Sequence, residues 1–323
     1  SALLDTETTL NPRYLYRLSD IESGDLVELE RSWPKVPAWR RKALLEDLEE
    51  LAERDTLLSY EAVCRMALGD SDPEVRMLAI RSLWEYDAED LIPRLIDFME
   101  SDEALQVRAA AASALGKYVY QGEVDEIPAH TLRMVEDRLI AVARGGDVSL
   151  VRRRALESLG YSGREEVSNL IHSAYYSDED EWLESSLFAM GRSANRDWSS
   201  HVFDMLNHEI PEIRMEAVRA SGELGIQRAT PHLLDLLEDP DEGVYLAAVW
   251  SLSQIGGEGV WDTMERLFAQ ARDDQEAELI EAAMDNLAFT EDLQRFSLFE
   301  MPDVEADFED GAIAPIDDED LPD

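Results

Sequence analysis

The chain has 323 residues, 45% of them hydrophobic, enough to bury a large core in one elongated domain or in about two to three compact ones. Its 29 basic and 72 acidic residues leave a formal charge of −43, a field that repels bare nucleic acid and anionic lipid. No apolar run reaches the roughly 18 residues that a membrane span needs, and the one cysteine, Cys64, has no internal disulfide partner, which fits a reducing, cytoplasmic compartment.

Residues 1–37 are predicted to be an N-terminal capping region, with one or two short helices over residues 12–33. Residues 38–68 read as an irregular helix pair, its apolar stripes marked by Trp39, Ala43, Leu44 and Leu48 and then by Leu57, Leu58, Val63 and Met66.

From there one pattern recurs: a loop rich in Asp, Gly or Pro, an apolar anchor, a small residue four later and an apolar residue eight later. The anchors are Val75, Val107, Val151, Trp182, Ile213, Val244 and Leu279, separated by 32, 44, 31, 31, 31 and 35 residues. Four residues on stand Ala79, Ala111, Ala155, Ser186, Ala217, Ala248 and Ala283. Eight on stand Leu83, Leu115, Leu159, Met190, Ser221, Leu252 and Leu287. A period of 3.6 residues places these positions on one face, so each unit is predicted to open with an amphipathic helix.

A turn is expected next, marked by Gly116, Gly160, Gly191, Gly225 or Gly256, and then a second helix with Pro93, Pro128 or Pro231 in its first turn, where a missing N–H costs nothing. The 44-residue step is predicted to hold a protruding loop near residues 118–127. One helix pair cannot bury its faces alone, so the units must stack. Residues 38–301 are therefore predicted to form an all-α solenoid of about eight helical hairpins. Residues 302–323, with ten acids and no Lys or Arg, read as a disordered acidic tail.

The segments Asp70-Ser71-Asp72-Pro73-Glu74-Val75-Arg76 and Asp239-Pro240-Asp241-Glu242-Gly243-Val244 resemble HEAT repeats of the phycobilisome-lyase-like class, over roughly residues 38–290. In that class the Arg after the anchor, here Arg76, Arg108, Arg152 and Arg214, and a loop acid such as Asp72 or Asp147 resemble a ladder that joins neighbouring repeats. Leu183 and Tyr245 stand where the Arg would be, so two rungs are expected to be missing. The class contains bilin lyases and many scaffolds, and the repeat itself encodes packing and no chemistry.

Residues that carry chemistry are sparse. The five histidines, His130, His172, His201, His208 and His232, are read as surface or groove residues. The deoxyhypusine hydroxylases, iron enzymes built on HEAT repeats, need several His-Glu dyads, and this chain has one, His208-Glu209. No phosphate loop, zinc-type cysteine pair or nucleophile elbow occurs, so no catalytic residue, metal ligand or cofactor is assigned. The densest basic spot, Arg152-Arg153-Arg154, is the candidate partner-binding patch, with ordinary salt bridging as its alternative. Phe308, Ile313 and Ile316 form a candidate docking motif in the tail. Of the seven tryptophans, most are expected in the core.

The function expected is therefore a non-enzymatic scaffold that binds a protein or peptide of basic character on a concave face lined by the second helices, with no nucleic acid or membrane partner. The alternatives are a lyase-like or chaperone-like accessory that holds a cofactor or client, and a self-assembling structural protein.

Overall fold

The computed structural model describes residues 2–5 and 10–299; the acidic segment 302–323 and its motif Phe308, Ile313 and Ile316 lie outside the described residues. Among the described residues there is no strand, and no helix is long and apolar enough to cross a membrane.

Short 3-10 turns at Pro12–Tyr14 and Tyr16–Leu18 precede α1 (Ser23–Ser32). The first helices of the units are α2 (Ala38–Arg54), α4 (Pro73–Ser82), α6 (Leu105–Glu123), α8 (Ser149–Ser158), α10 (Asp180–Arg192), α12 (Pro211–Glu223), α14 (Glu242–Ile255) and α16 (Asp274–Phe299). The second helices are α3 (Glu61–Ala67), α5 (Ile92–Ser101), α7 (Ala129–Arg144), α9 (Glu165–Tyr175), α11 (Ser199–Asp204), α13 (Thr230–Asp235) and α15 (Val260–Ala269).

Starts are fixed locally. Asp72 caps α4 by accepting from the backbone N–H groups of Glu74 and Val75, with Pro73 following it, and Asp241 caps α14 by accepting from Val244.

The anchor stripe forms the core. Val75, Val107, Val151, Ile213 and Val244 are fully or almost fully buried, and the small residues four later are sealed from solvent in all seven units. Trp182 and Leu279 are half-buried, and in the last unit Ile280 takes the buried place beside Leu279. Burial of one such aliphatic side chain contributes about 1.5–3 kcal/mol, and each is buried by two or more helices, so no unit is stable without its neighbours.

Each second helix packs chiefly on the first helix of the following unit, as α5 does on α6 and α7 on α8. The hairpins that share a core are thus α3/α4 through α15/α16, one helix out of phase with the sequence period. α2 leads the row and α16 completes the last hairpin.

Two predicted features are corrected. No loop protrudes at the 44-residue step: the insertion lengthens α6, which runs on through Tyr118, Val119 and Gly122, all buried. The Tyr118 hydroxyl donates to the Ala88 carbonyl at 2.8 Å and the Gln121 amide donates to Asp87 at 2.9 Å. An Ala-rich stretch with no proline before Pro128 keeps the helix going.

Of the glycines expected in turns, Gly225 and Gly256 have φ of +60° and +70°, but Gly116 and Gly191 lie inside helices and Gly160 in a 3-10 turn. Their role is close packing between first helices. A Cβ on Gly116 would meet Ser158, one on Gly160 would meet Ala189, and one on Gly191 would meet Ala220, each at about 3.0 Å from the nearest atom of that residue.

Candidate functional site

First helices lie directly against one another along the whole row, whereas the second helices rest on first helices and are splayed from each other. A double row of helices bends toward its tighter side, so the first helices line the inner face. The expectation that second helices line it is corrected, and the cause is the Gly, Ala and Ser positions that let first helices approach.

Helical register puts the residues two and six after each anchor on this face: Met77 and Arg81, Ala109 and Ser113, Arg153 and Glu157, Glu184 and Phe188, Met215 and Arg219, Leu246 and Trp250, Glu281 and Asp285. Trp84 and Trp250 are each 41% exposed here. Trp39 and Trp261 are exposed too, so the core fate expected of most tryptophans holds for Trp33 and Trp198 alone among the fully buried ones. Trp84, Trp250 and Trp261 stand off the anchor stripe, whereas Trp39 and Leu57, read as marking apolar stripes of the first helix pair, are 56% and 86% exposed, and that reading is corrected.

The inner face has two stretches of different chemistry. Across α4, α6 and α8 runs a groove of about 580 Å³, floored by Met77, Ile80, Ala109, Ala110 and Leu150, with Trp84, Arg81 and Arg154 at its edges. Arg81 pairs with Glu49, and Arg154 with Glu157. Farther along, α8, α10 and α12 bring together Glu157, Glu184, Glu216 and Glu223. Glu216 is 5% exposed, and its only ion pair among the described residues, with Arg219, is 3.5 Å long. Burial pushes its carboxyl up to about 7, Arg219 opposes this, and Glu223, Glu184 and Glu157 add to it. Burial also raises Glu223, against the pull of Arg192 and Arg219.

The three consecutive arginines do not form one patch. The Arg152 Nε donates to the Ala143 carbonyl at 3.1 Å while its guanidinium lies over Trp182, 5.1 Å from the ring centroid. Arg153 donates to the Glu181 carbonyl and the Ser185 hydroxyl. Arg154 alone reaches the groove.

The ladder is present in part. Arg76 binds Asp102 through two hydrogen bonds, Arg108 binds Asp147, and Arg214 binds Asp239, all between 2.8 and 3.0 Å. Each Arg also donates to a carbonyl of its own preceding loop, that of Asp70, Asp102 or His208. At the N-terminal end Arg41 and the Trp33 indole hold Asp70, so the acid of that loop is Asp70 and not Asp72, which serves as the helix cap.

The hydrogen bond from Arg108 holds the Asp147 carboxyl below its usual range. For Asp102, burial is the largest single influence and pushes upward, but the hydrogen bonds from Arg76 and the Ala104 N–H and the charges of Arg76 and Arg108 together hold the carboxyl below its usual range.

Arg152 makes no rung because Ser177 stands where the acid would be. The rung after it lacks both members, Leu183 and His208. Ser177 Oγ and His208 Nδ1 still accept the N–H two residues on, so the loop turns survive. At Tyr245 the rung is replaced by Arg272, which lies over the Tyr245 ring and pairs with Glu276.

On the second helices His172, Tyr175, Tyr176, Trp198 and His201 form a ring cluster, and Tyr175 donates to the His201 carbonyl. Among the described residues no group of three or more His, Cys, Asp or Glu is placed to hold a metal ion.

The sequence matches the HEAT repeats at residues 39–129, 183–253 and 199–288. This chain belongs to the HEAT repeat family. The segments 70–76 and 239–244, which carry the resemblance to the lyase-like class, lie within those ranges. No curated protein sequence matches the chain.

Among solved structures, YibA of E. coli is 15% identical, covering 87% of this chain and 97% of its own, at a TM-score of 0.45. The CpcE and CpcF complex of phycocyanin lyase from Nostoc sp. PCC7120 is 18% identical, covering 70% and 94%, at 0.46. Importin beta is 12% identical, covering 92% of this chain and 45% of its own, at 0.44. Likenesses of this size concern the stacking of helices and nothing beyond it.

Proposed function

We propose that this HEAT repeat chain is a non-enzymatic protein-binding scaffold whose inner face takes a segment of basic character. The observation that carries this is the concentration of Glu157, Glu184, Glu216 and Glu223 on three successive first helices, with Phe188 and Trp250 at equivalent register positions of α10 and α14. Carboxylates set into a face with aromatic neighbours suit Arg and Lys side chains, whose stems pack on apolar surface while their heads are paired. The long-range field of the whole chain steers such a partner toward it.

Bulk attraction and a site are separated by one comparison. Binding of an arginine-rich decapeptide is measured by calorimetry for the native chain and for a Glu184→Gln, Glu223→Gln variant. Two charges out of −43 barely change the overall field, so a loss of about tenfold or more in affinity marks a site on this stretch. Equal affinities reject it.

A further inference from the structure

The groove across α4, α6 and α8 is a trough with unequal walls. Its middle helix, α6, presents the small side chains of Ala110, Ser113 and Ala114, while Met77 and Trp84 line it from the α4 side and Leu150 from α8. We propose that this trough takes a basic amphipathic helix of a partner protein, apolar side down. The inference rests on the reading of the inner face as a scaffold for basic segments, and adds to it a second, apolar subsite and a helical form for the segment.

Charge selects the partner. Both cations that line the groove are already committed, Arg81 to Glu49 and Arg154 to Glu157. The charges of Glu46 and Glu53 act on Arg81 as well, so acids are in excess at the α4 edge. Lys117, which donates to the Trp84 carbonyl, is paired with Asp87. An acidic occupant is repelled here, and so is a second copy of a chain that carries a charge of −43. Lys and Arg side chains flanking an apolar row complement Glu46, Glu49, Glu53 and Glu157.

Backbone chemistry selects the form. An extended segment lowered into the trough buries peptide N–H and C=O groups, and on α6 the lining offers them just the side chains of Gln106 and Ser113. A helix satisfies those groups internally and projects apolar side chains from one face at i, i+3, i+4 and i+7. The part of α6 that lines the trough runs from Gln106 to Ala114, about 12 Å at 1.5 Å per residue, long enough for such a row. The small side chains there let the axis of a docked helix come within about 8–10 Å of α6. Trp84, 41% exposed, supplies an aromatic anchor beside it. Glu157 pairs with Arg154 at the edge of the groove and is also the first member of the acidic stretch, so the two subsites adjoin on α8.

The experiment compares two peptides of about 16 residues, made of Leu, Lys and Ala and identical in composition and charge. In one, the leucines recur at helical spacing on a single side; in the other, the order is shuffled so that they fall on every side. Calorimetry with the full chain at about 150 mM salt is expected to show the patterned peptide binding at least about tenfold tighter. Ser113→Trp fills the floor at a half-buried position, and Trp84→Ala lowers one wall. Each is expected to reduce the preference for the pattern by about threefold or more, and a reduction in either places the peptide in the groove. Equal affinities for the two peptides, or a preference undiminished in both variants, would overturn the proposal. The arginine-rich decapeptide has no apolar row and is expected to bind both groove variants as it binds the native chain, whereas the Glu184→Gln, Glu223→Gln variant is expected to keep its preference for the patterned peptide. Failure of the groove and failure of the acidic stretch are thus read from different peptides.

Discussion

Arg76 and Asp102 sit on opposite sides of a repeat boundary, yet they share two parallel hydrogen bonds of 2.9 and 2.8 Å, with both side chains less than a tenth exposed. A third bond, from Arg76 Nη1 to the Asp70 carbonyl, ties the same guanidinium to its own loop. One side chain thus fixes the spacing of two loops and, through them, of two helices.

Removal of that side chain leaves the Asp102 carboxylate buried without its partner. Arg76→Ala is expected to cost about 3 kcal/mol, toward the low end of what breaking a buried pair costs, and Arg76→Lys is expected to recover only part of it because an ammonium cannot make the two-pronged contact. Urea denaturation of the three proteins reads this directly. A loss near zero for Arg76→Ala would show that the pair is solvated in solution.

Gly160 faces the backbone of Ala189, whose Cα and carbonyl oxygen would lie 3.0 Å from an added Cβ. Neither atom can rotate away, so Gly160→Val must push α10 from its place. Overpacking of this kind costs about 1–3 kcal/mol, more than the roughly 1 kcal/mol gained by replacing a flexible glycine. A lower thermal midpoint is the expected outcome, and an unchanged or higher one contradicts close packing of the first helices.

The missing rung at Leu183 and His208 can be rebuilt. Leu183→Arg alone places a charge without its acid, and His208→Asp alone places an acid without its base. Together they recreate the relation of Arg214 and Asp239. A double-mutant cycle is expected to show a favourable coupling of about 1–2 kcal/mol. Strict additivity would mean that α10 and α12 are spaced differently from the units that carry rungs.

Glu216 sets a pH dependence of definite sign. Its carboxyl is raised in the fold from 4.5 to about 7, so the folded chain holds this proton over a range in which the unfolded chain has lost it. The stabilising contribution is complete below about 4.5 and is lost as pH rises through 7. Glu216→Gln, which stays neutral, is expected to be more stable than the native chain at pH 8 by about 3 kcal/mol, with the difference vanishing near pH 4.5. A variant less stable than the native chain at pH 8 would show that the Arg219 pair outweighs burial.

Periodicity identified the helices and the anchor stripe, because a 3.6-residue period written seven times leaves no other way to bury Val75, Ala79, Leu83 and their counterparts, and the repeat family was legible through the resemblance of residues 70–76 and 239–244 to HEAT repeats. It also marked Leu183 and Tyr245 as breaks in the ladder. It did not show that Arg152 would lose its rung as well. That depends on Ser177, a residue in a different unit from the arginine, and no local pattern links the two.

The tertiary structure decided which row of helices faces inward. Gly116, Gly160 and Gly191 look in sequence like turn residues, since glycine suits a turn, but their missing side chains serve the approach of one first helix to the next. It likewise took inserted residues 118–123 into the end of α6, where Tyr118 and Gln121 find partners on the neighbouring unit. The placement of Arg81, Trp84, Glu184 and Glu216 on one surface follows from that packing: a sequence dictates which side of a helix is apolar, whereas which polar residues of separate helices come to share a face depends on how closely those helices stack.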